Sequence, residues 1–319
     1  LDKELAQGAH PVVALKRVLP RLQGSYAIAF VCTKHDDRLY AARHGSPLAA
    51  AHAGGASWLA SDAAALSRVA HETTSLEDGQ IAELSPAQVR IFDPELKEVV
   101  PRWKRLDTEV EALDRGMHET FTYKEIVEQP DILRRTLSDF QRDATRGQLE
   151  HWCGPLRGAE RILAVGCGTS YFAAFTARSW LEQIAGIPVE LELGSELKSR
   201  KPILSKGTVA LLVSQSGETA DTLAALRYLK ERDVPTVALV NVSTSAMAQE
   251  ASAVLDCGAG REVGVASTKA FSAQLCTLAA ASIAVRGLEN GGFGARAQEL
   301  LSALSNVPEA MEAALQLEE

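Results

Sequence analysis

The sequence predicts an α/β protein, a doubly wound parallel sheet preceded by a strand-rich α+β segment. Three observations predict it. From Arg161 onward, short apolar strands alternate with amphipathic helical stretches, as they do where strands are buried on both faces and joined by helical crossovers. Before about residue 92 the order is strand, turn, strand, with polar clusters between the apolar runs. The chain has 319 residues, 46% of them apolar and 23% charged. That is too apolar for a disordered chain and long enough for two domains at roughly 100–200 residues each.

The elements follow in order. The chain has no initiator Met and opens in helical text, so it reads as a piece of something longer; no signal peptide is legible. YAIAFVC (26–32) and RLYAAR (38–43) flank a polar cluster at 33–37 and read as a hairpin. SWLASD (57–62) leads into a short helix capped by Ser61 or Asp62. In LEDGQIAEL (76–84) an Asp-Gly turn precedes a strand, and VRIFD (89–93) is its natural partner. Residues 93–117 are charged, carry Pro94 and Pro101 and show no period, as expected of a linker or an extended crossing segment. Next comes HETFTYKEIVEQPDILRRTLSDF (118–140), read as two helices with Pro130 opening the second, because proline is tolerated at a first helical position.

The expected strands of the later sheet are ILAVG (162–166), PVELEL (188–193), TVALLVS (208–214), PTVALVN (235–241) and AVLDCG (253–258). Helices are expected near 170–185, 195–200, 219–232, 244–251 and 267–286, with two more closing the chain.

Composition narrows the function. Lys and Arg total 33 against 41 Asp and Glu, a net charge of −8, which argues against general affinity for nucleic acid or anionic membrane but leaves room for a local anion pocket. The longest apolar run, 275–285, is too short and too interrupted to span a bilayer. Five scattered cysteines, none spaced C-x-x-C, fit a reducing cytosol rather than a disulfide framework or a zinc cluster. The seven histidines form no H-E-x-x-H pair, so no metal site is expected. His44, His52 and His118 read as structural, and Cys32 and Cys167 as core or wall residues.

In open α/β sheets ligands gather beyond the carboxyl ends of the strands. Three turns there are rich in Gly, Ser and Thr: GCGTS (166–170), SQSGET (214–219) and EVGVASTK (262–269). In SQSGET, Ser214, Ser216 and Thr219 offer three hydroxyls and Gly217 permits close backbone approach. The helix beginning near Thr219 aims its unpaired N–H groups at the same point, which makes an anion site suited to a phosphate monoester. The competing reading is an ordinary N-cap turn, since Ser and Thr favour such positions anyway. GCGTS does not continue to a third glycine, no acidic residue follows the next strand in ribose-clamp position, and no Walker motif occurs, so a dinucleotide or nucleoside triphosphate is disfavoured. Thr169 and Ser170 offer ligand hydrogen bonds or helix caps. Glu262 and Lys269 offer charge, although most such side chains are merely solvated.

Together the turns resemble a known family. GCGTSYFAAFTARSWLE, SQSGETADTLAAL and AGREVGVASTKAFSAQL resemble the first sugar-isomerase (SIS) module of the glutamine–fructose-6-phosphate aminotransferase (glucosamine-6-phosphate synthase) family, and MHETFTYKEIVEQP resembles the segment that introduces it. GSYAIAF, LYAARHGSPL, ASDAAAL and LEDGQIAEL resemble the later half of that family's Ntn-type glutaminase domain. The resemblance implies a partial glutaminase domain over 1–92, a linker over 93–117 and a SIS domain over 118–319 with its core at about 160–290. It further implies conversion of fructose 6-phosphate and glutamine to glucosamine 6-phosphate, with glutamine used only in the complete enzyme. No metal or organic cofactor is implied, and the expected assembly is a cytoplasmic homodimer through the SIS modules.

By matching motifs, Ser214, Gln215, Ser216 and Thr219 would hold the phosphate, Thr169, Ser170, Val265 and Ser267 the sugar, with Gly217, Glu262 and Lys269 in support. The family's catalytic residues, an N-terminal cysteine in one domain and Glu, His and Lys in another, have no counterpart assigned here. Two departures stand out: GSELKSR (194–200) replaces a usual A-S-E-F-R-Y-R, and Thr122 stands where Met is usual. The alternative is a non-catalytic SIS sensor or regulator, but such proteins carry a helical DNA-binding module where this chain is strand-rich. A plain scaffold with capped helices leaves three such turns in one domain unexplained.

Overall fold

Alternate residues of a central strand point to opposite faces, so a strand apolar at every position needs cover on both sides. The later half of the chain meets that need with five strands: β10 (Arg161–Gly166), β11 (Val189–Leu193), β12 (Thr208–Val213), β13 (Thr236–Val240) and β14 (Ala253–Asp256). They form one parallel sheet in the order β11-β10-β12-β13-β14. The computed structural model describes residues 1–61, 63–106, 115–289 and 294–317. The expected doubly wound sheet is borne out, each strand lying within a residue or two of its expected place.

One face of this sheet presents Ile162, Ala164, Leu211, Val213, Val237 and Leu239 to three helices, α3 (Phe121–Thr145), α5 (Gly168–Trp180) and α9 (Lys269–Glu289). The other presents Leu163, Val165, Ala210, Leu212, Ala238 and Val240 to α6 (Gly194–Arg200), α7 (Ala220–Lys230) and α8 (Ala246–Glu250). The short α4 (Glu150–Cys153) and the closing α10 (Ala295–Ser305) and α11 (Val307–Leu315) complete the set.

Two expectations about these helices are corrected. Residues 121–145 form one helix, not two, with Pro130 inside it and buried. Proline lacks the N–H that would bond to the carbonyl of Ile126. The Gln129 side-chain amide donates to that carbonyl instead, at 3.1 Å, so the helix runs on. The apolar run at 275–285, read as too short and too interrupted for a bilayer, lies inside the helix expected there, which as a whole is not too short. Lys269–Leu288 is long and apolar enough to cross a membrane by composition, yet 72% of its most apolar window is buried, as in a core helix.

The chain divides into two units, Leu1–Leu113 and Asp114–Glu319. The first opens with α1 (Asp2–Ala6) and α2 (Pro11–Val18) and continues as antiparallel sheets. One has the order β1 (Tyr26–Cys32), β2 (His35–His44), β6 (Ile81–Leu84), β7 (Val89–Phe92) and β8 (Glu98–Val99). The other has the order β4 (Ala56–Ala60), β3 (Ala49–Ala53), β5 (Glu72–Ser75) and β9 (Lys104–Arg105). Both expected hairpins, β1–β2 and β6–β7, are present. The helix after SWLASD is a 3-10 turn over Ala63–Arg68, and the expected cap at Asp62 lies outside the described residues. Residues 93–106 of the expected linker carry β8 and β9, paired with β7 and β5; residues 107–114 lie outside the described residues.

Candidate functional site

In the order β11-β10-β12-β13-β14, the chain leaves β10 for β11 on one side and β12 for β13 on the other, so the crevice between the carboxyl ends of β10 and β12 is the topological switch point. GCGTS follows β10 and SQSGET follows β12. The two turns therefore flank the place where sheets of this order bind ligands.

In SQSGET, Ser214 is buried. Its hydroxyl meets the Thr219 hydroxyl at 3.1 Å and accepts the Gly217 N–H at 3.1 Å. The half-buried Ser216 accepts the Glu218 N–H at 3.1 Å. Thr219 is the N-cap of α7, yet its hydroxyl turns to Ser214 rather than capping the helix. Among the described residues, the N–H groups of Gln215, Ser216 and Thr219 donate to no protein acceptor, and they stand beside the first-turn N–H groups of α7. The arrangement is a set of amide and hydroxyl donors at the positive end of a helix.

The turn is held from behind. Gly217 has φ +66°, and a Cβ there would lie 2.1 Å from Ser245 Oγ and 2.6 Å from Ser245 Cβ. Met247 N–H donates to the Gly217 carbonyl at 3.1 Å, Ala246 N–H to Glu218 Oε1 at 2.7 Å, and Asn241 N–H to the Gln215 carbonyl at 3.1 Å. The peptide segment 241–247 thus fixes the curvature of the cradle.

The three turns are joined. Thr222 Oγ1 of α7 donates to Cys167 Sγ, the N-cap of α5, at 3.6 Å. Gln274 Nε2 of α9 donates to the buried Ser170 hydroxyl at 3.1 Å, so Ser170 ties α5 to the third turn's helix, while Thr169 beside it is exposed. In the third turn Val265 is fully exposed and Ser267 half-buried. Among the described residues, the N–H groups of Val265, Ala266 and Ser267 donate to no protein acceptor.

Glu262 and Lys269 are both engaged in the fold. Glu262 Oε1 accepts the N–H groups of Thr268 at 2.8 Å and Ala270 at 3.1 Å, which caps α9. Lys269 is buried, with its ammonium 2.7 Å from Glu128 Oε2 of α3. Sequence reasoning missed Glu125 of α3. It is 2% exposed and its carboxylate accepts the N–H groups of Val263 and of Gly264, the latter at 3.0 Å. The only sequence signal was an acidic residue on the apolar face of a helix.

The residues read as structural behave so: His52 Nδ1 meets Ser57 Oγ at 3.0 Å, His44 lies 3.6 Å from Asp78, and His118 packs on Tyr123. All five cysteines are free thiols, and burial pushes Cys153 up to about 11 and Cys257 and Cys276 up to about 12. Cys32 and Cys167 are half-buried. Among the described residues no group of three or more His, Cys, Asp or Glu could hold a metal ion.

Comparison with known proteins places the chain among sugar-isomerase relatives. Residues 155–284 match the SIS domain family. Along its whole length the chain is similar to glutamine–fructose-6-phosphate aminotransferase [isomerizing] of Brucella abortus biovar 1 (strain 9-941), with 39% identity over 100% of this chain and 53% of the relative. The same enzyme of Pseudomonas putida (strain KT2440) is 40% identical over 96% of this chain and 51% of the relative. The chain thus spans about half the length of the curated relatives it matches. Among solved structures, the C-terminal domain of glucosamine-fructose-6-phosphate aminotransferase from Francisella tularensis superposes with a TM-score of 0.57 at 32% identity, covering 64% of this chain and 58% of that one. The resemblance read from the three turns is borne out.

Proposed function

We propose that this chain, which carries a SIS domain and is similar throughout to glutamine–fructose-6-phosphate aminotransferases, supplies the sugar-phosphate-binding module of such an enzyme. The observation that carries the reading is the donor cradle of Ser214, Gln215, Ser216 and Thr219 at the switch point, with the amide groups of Gln215, Ser216 and Thr219 given to no protein acceptor. A phosphate monoester at neutral pH brings about two negative charges and strong acceptor oxygens, which suit a cradle of donors at a helix N-terminus.

In this reading Thr169 and the 265–267 turn face the sugar, with Ser170 holding the wall behind it through Gln274. The ligand is fructose 6-phosphate or its product glucosamine 6-phosphate. Glutamine, which the relatives' name pairs with fructose 6-phosphate, serves the complete enzyme, whose glutaminase domain has its later half in the first unit here, over about 1–92. The SIS domain occupies 118–319. No metal or organic cofactor is called for, because the cradle meets the phosphate with neutral donors and the helix dipole. Pairing of SIS modules as a homodimer and a cytoplasmic setting belong to the same proposal; five free thiols accord with a reducing compartment.

The test is calorimetric titration of fructose 6-phosphate into this chain and into Ser216→Ala/Thr219→Ala. Removing two hydroxyls that bond a charged phosphate costs about 1.5–3 kcal/mol each, so the variant should lose binding that the parent shows. Equal affinity in both places the phosphate elsewhere.

A further inference from the structure

Three side chains on one face of α3 reach the third turn. Glu125, Glu128 and Gln129 stand at the i, i+3, i+4 spacing that shares a helix face. Glu125 takes the N–H groups of Val263 and Gly264, Glu128 pairs with Lys269, and Gln129 Oε1 accepts the Ser272 hydroxyl. From the other end, Glu262 takes the N–H groups of Thr268 and Ala270. The turn is thus pinned on both sides by carboxylates, and the amides left between the pins are those of 265–267.

The contact at Glu125 is close. A Cβ on residue 264 would lie 2.5 Å from Glu125 Oε2 and 2.9 Å from Thr122 Oγ1, so any larger residue would have to push the carboxylate and the hydroxyl aside, whereas glycine lets the backbone come down onto them. A carboxylate at 2% exposure is tolerated only where hydrogen bonds replace its water. Here the replacing donors are loop amides, and bonds from N–H to a charged acceptor are about twice as strong as neutral ones.

We propose that Glu125 is a positioning residue for the sugar-facing edge of the site. Its buried carboxylate fixes the backbone of Val263 and Gly264, so that the N–H groups of 265–267 and the Ser267 hydroxyl are held ready for the hydroxyl or carbonyl oxygens of a sugar phosphate. This rests on the sugar-phosphate reading above. Glu125 meets the ligand only through the turn, and the phosphate cradle at 214–219 is formed by other residues. Loss of Glu125 therefore impairs recognition of the sugar and spares recognition of the phosphate.

The test compares this chain with Glu125→Ala and with the near-isosteric Glu125→Gln, which keeps one acceptor oxygen if the alanine variant folds poorly. Amide hydrogen exchange over 263–268 reads the clamp. Calorimetry with two probes, fructose 6-phosphate and inorganic phosphate, reads its consequence. In Glu125→Ala, exchange in the turn should quicken and fructose 6-phosphate should weaken about tenfold, the loss of roughly one charge-assisted hydrogen bond. Inorganic phosphate should bind as before, and Glu125→Gln should fall between. Unchanged exchange at 263–268 overturns the clamp whatever the ligands do. Quicker exchange with an unchanged ratio of the two affinities overturns the positioning role, because a merely structural residue lowers the melting temperature without altering that ratio. A parent chain that binds neither probe overturns the sugar-phosphate reading, and this inference with it.

Discussion

Gly217 shows how closely the cradle is built. Its φ of +66° disfavours any L side chain, and the hydroxyl of Ser245 already occupies the place of a Cβ. Gly217→Ala should destabilise the protein by about 1–3 kcal/mol, since strain and overpacking both act. A thermal melt checks it, and an unchanged melting temperature would mean that the turn relaxes freely. A second residue-scale effect lies at Asp143 of α3. The Trp152 indole N–H, 3.1 Å from Oδ2, and then the charges of Arg142 and His151 hold its carboxyl below the ordinary value of 3.8. A carboxyl lowered in the folded state adds stability that is full above 3.8 and fades as pH falls through the lowered value. Asp143→Asn should therefore melt below the parent at pH 7, and the charge-dependent part of that gap should close as the buffer is taken below 3.8. A gap that is constant with pH would assign the effect to the hydrogen bond alone.

At the scale of elements, α3 is both a wall of the core and the strut of the third turn. Phe140 is fully buried and meets Trp152 edge-on at 5.0 Å. Phe140→Ala should cost about 3–5 kcal/mol, read by denaturant unfolding; a loss below about 1 kcal/mol would mean that the surrounding helices collapse into the space. Element by element, legibility follows the range of the forces. Strands β10, β12 and β13 were readable because burial on both faces writes itself into a continuous apolar run. Pro130 misled because the local rule ends a helix at proline, while a neighbouring side chain, Gln129, supplied the missing donor. An acidic residue on an apolar helix face hinted at Glu125, but the clamp itself was not readable, since its partner Val263 is 138 residues away and nothing local marks the pair. The paired segments at 98–99 and 104–105 were missed for a related reason: two-residue strands are made by their partners and carry no period of their own.

At the scale of the whole molecule, the proposed function asks a protein of net charge −8 to hold a phosphate dianion. The sheet order resolves this by geometry. It brings two Ser/Thr-rich turns to one crevice, where backbone amides and a helix N-terminus give a local positive potential that net charge does not describe. The motifs SQSGET and GCGTS were legible in the sequence; that they flank the β10–β12 switch point was not, because strand order is a property of the folded sheet. The central claim is that the phosphate sits in that crevice. It is tested most directly by locating the phosphorus atom in crystals of this chain grown with fructose 6-phosphate. The account predicts phosphate oxygens within hydrogen-bond reach of Ser216, Thr219 and the 215–216 amides. Phosphorus bound away from the 214–219 turn would contradict it.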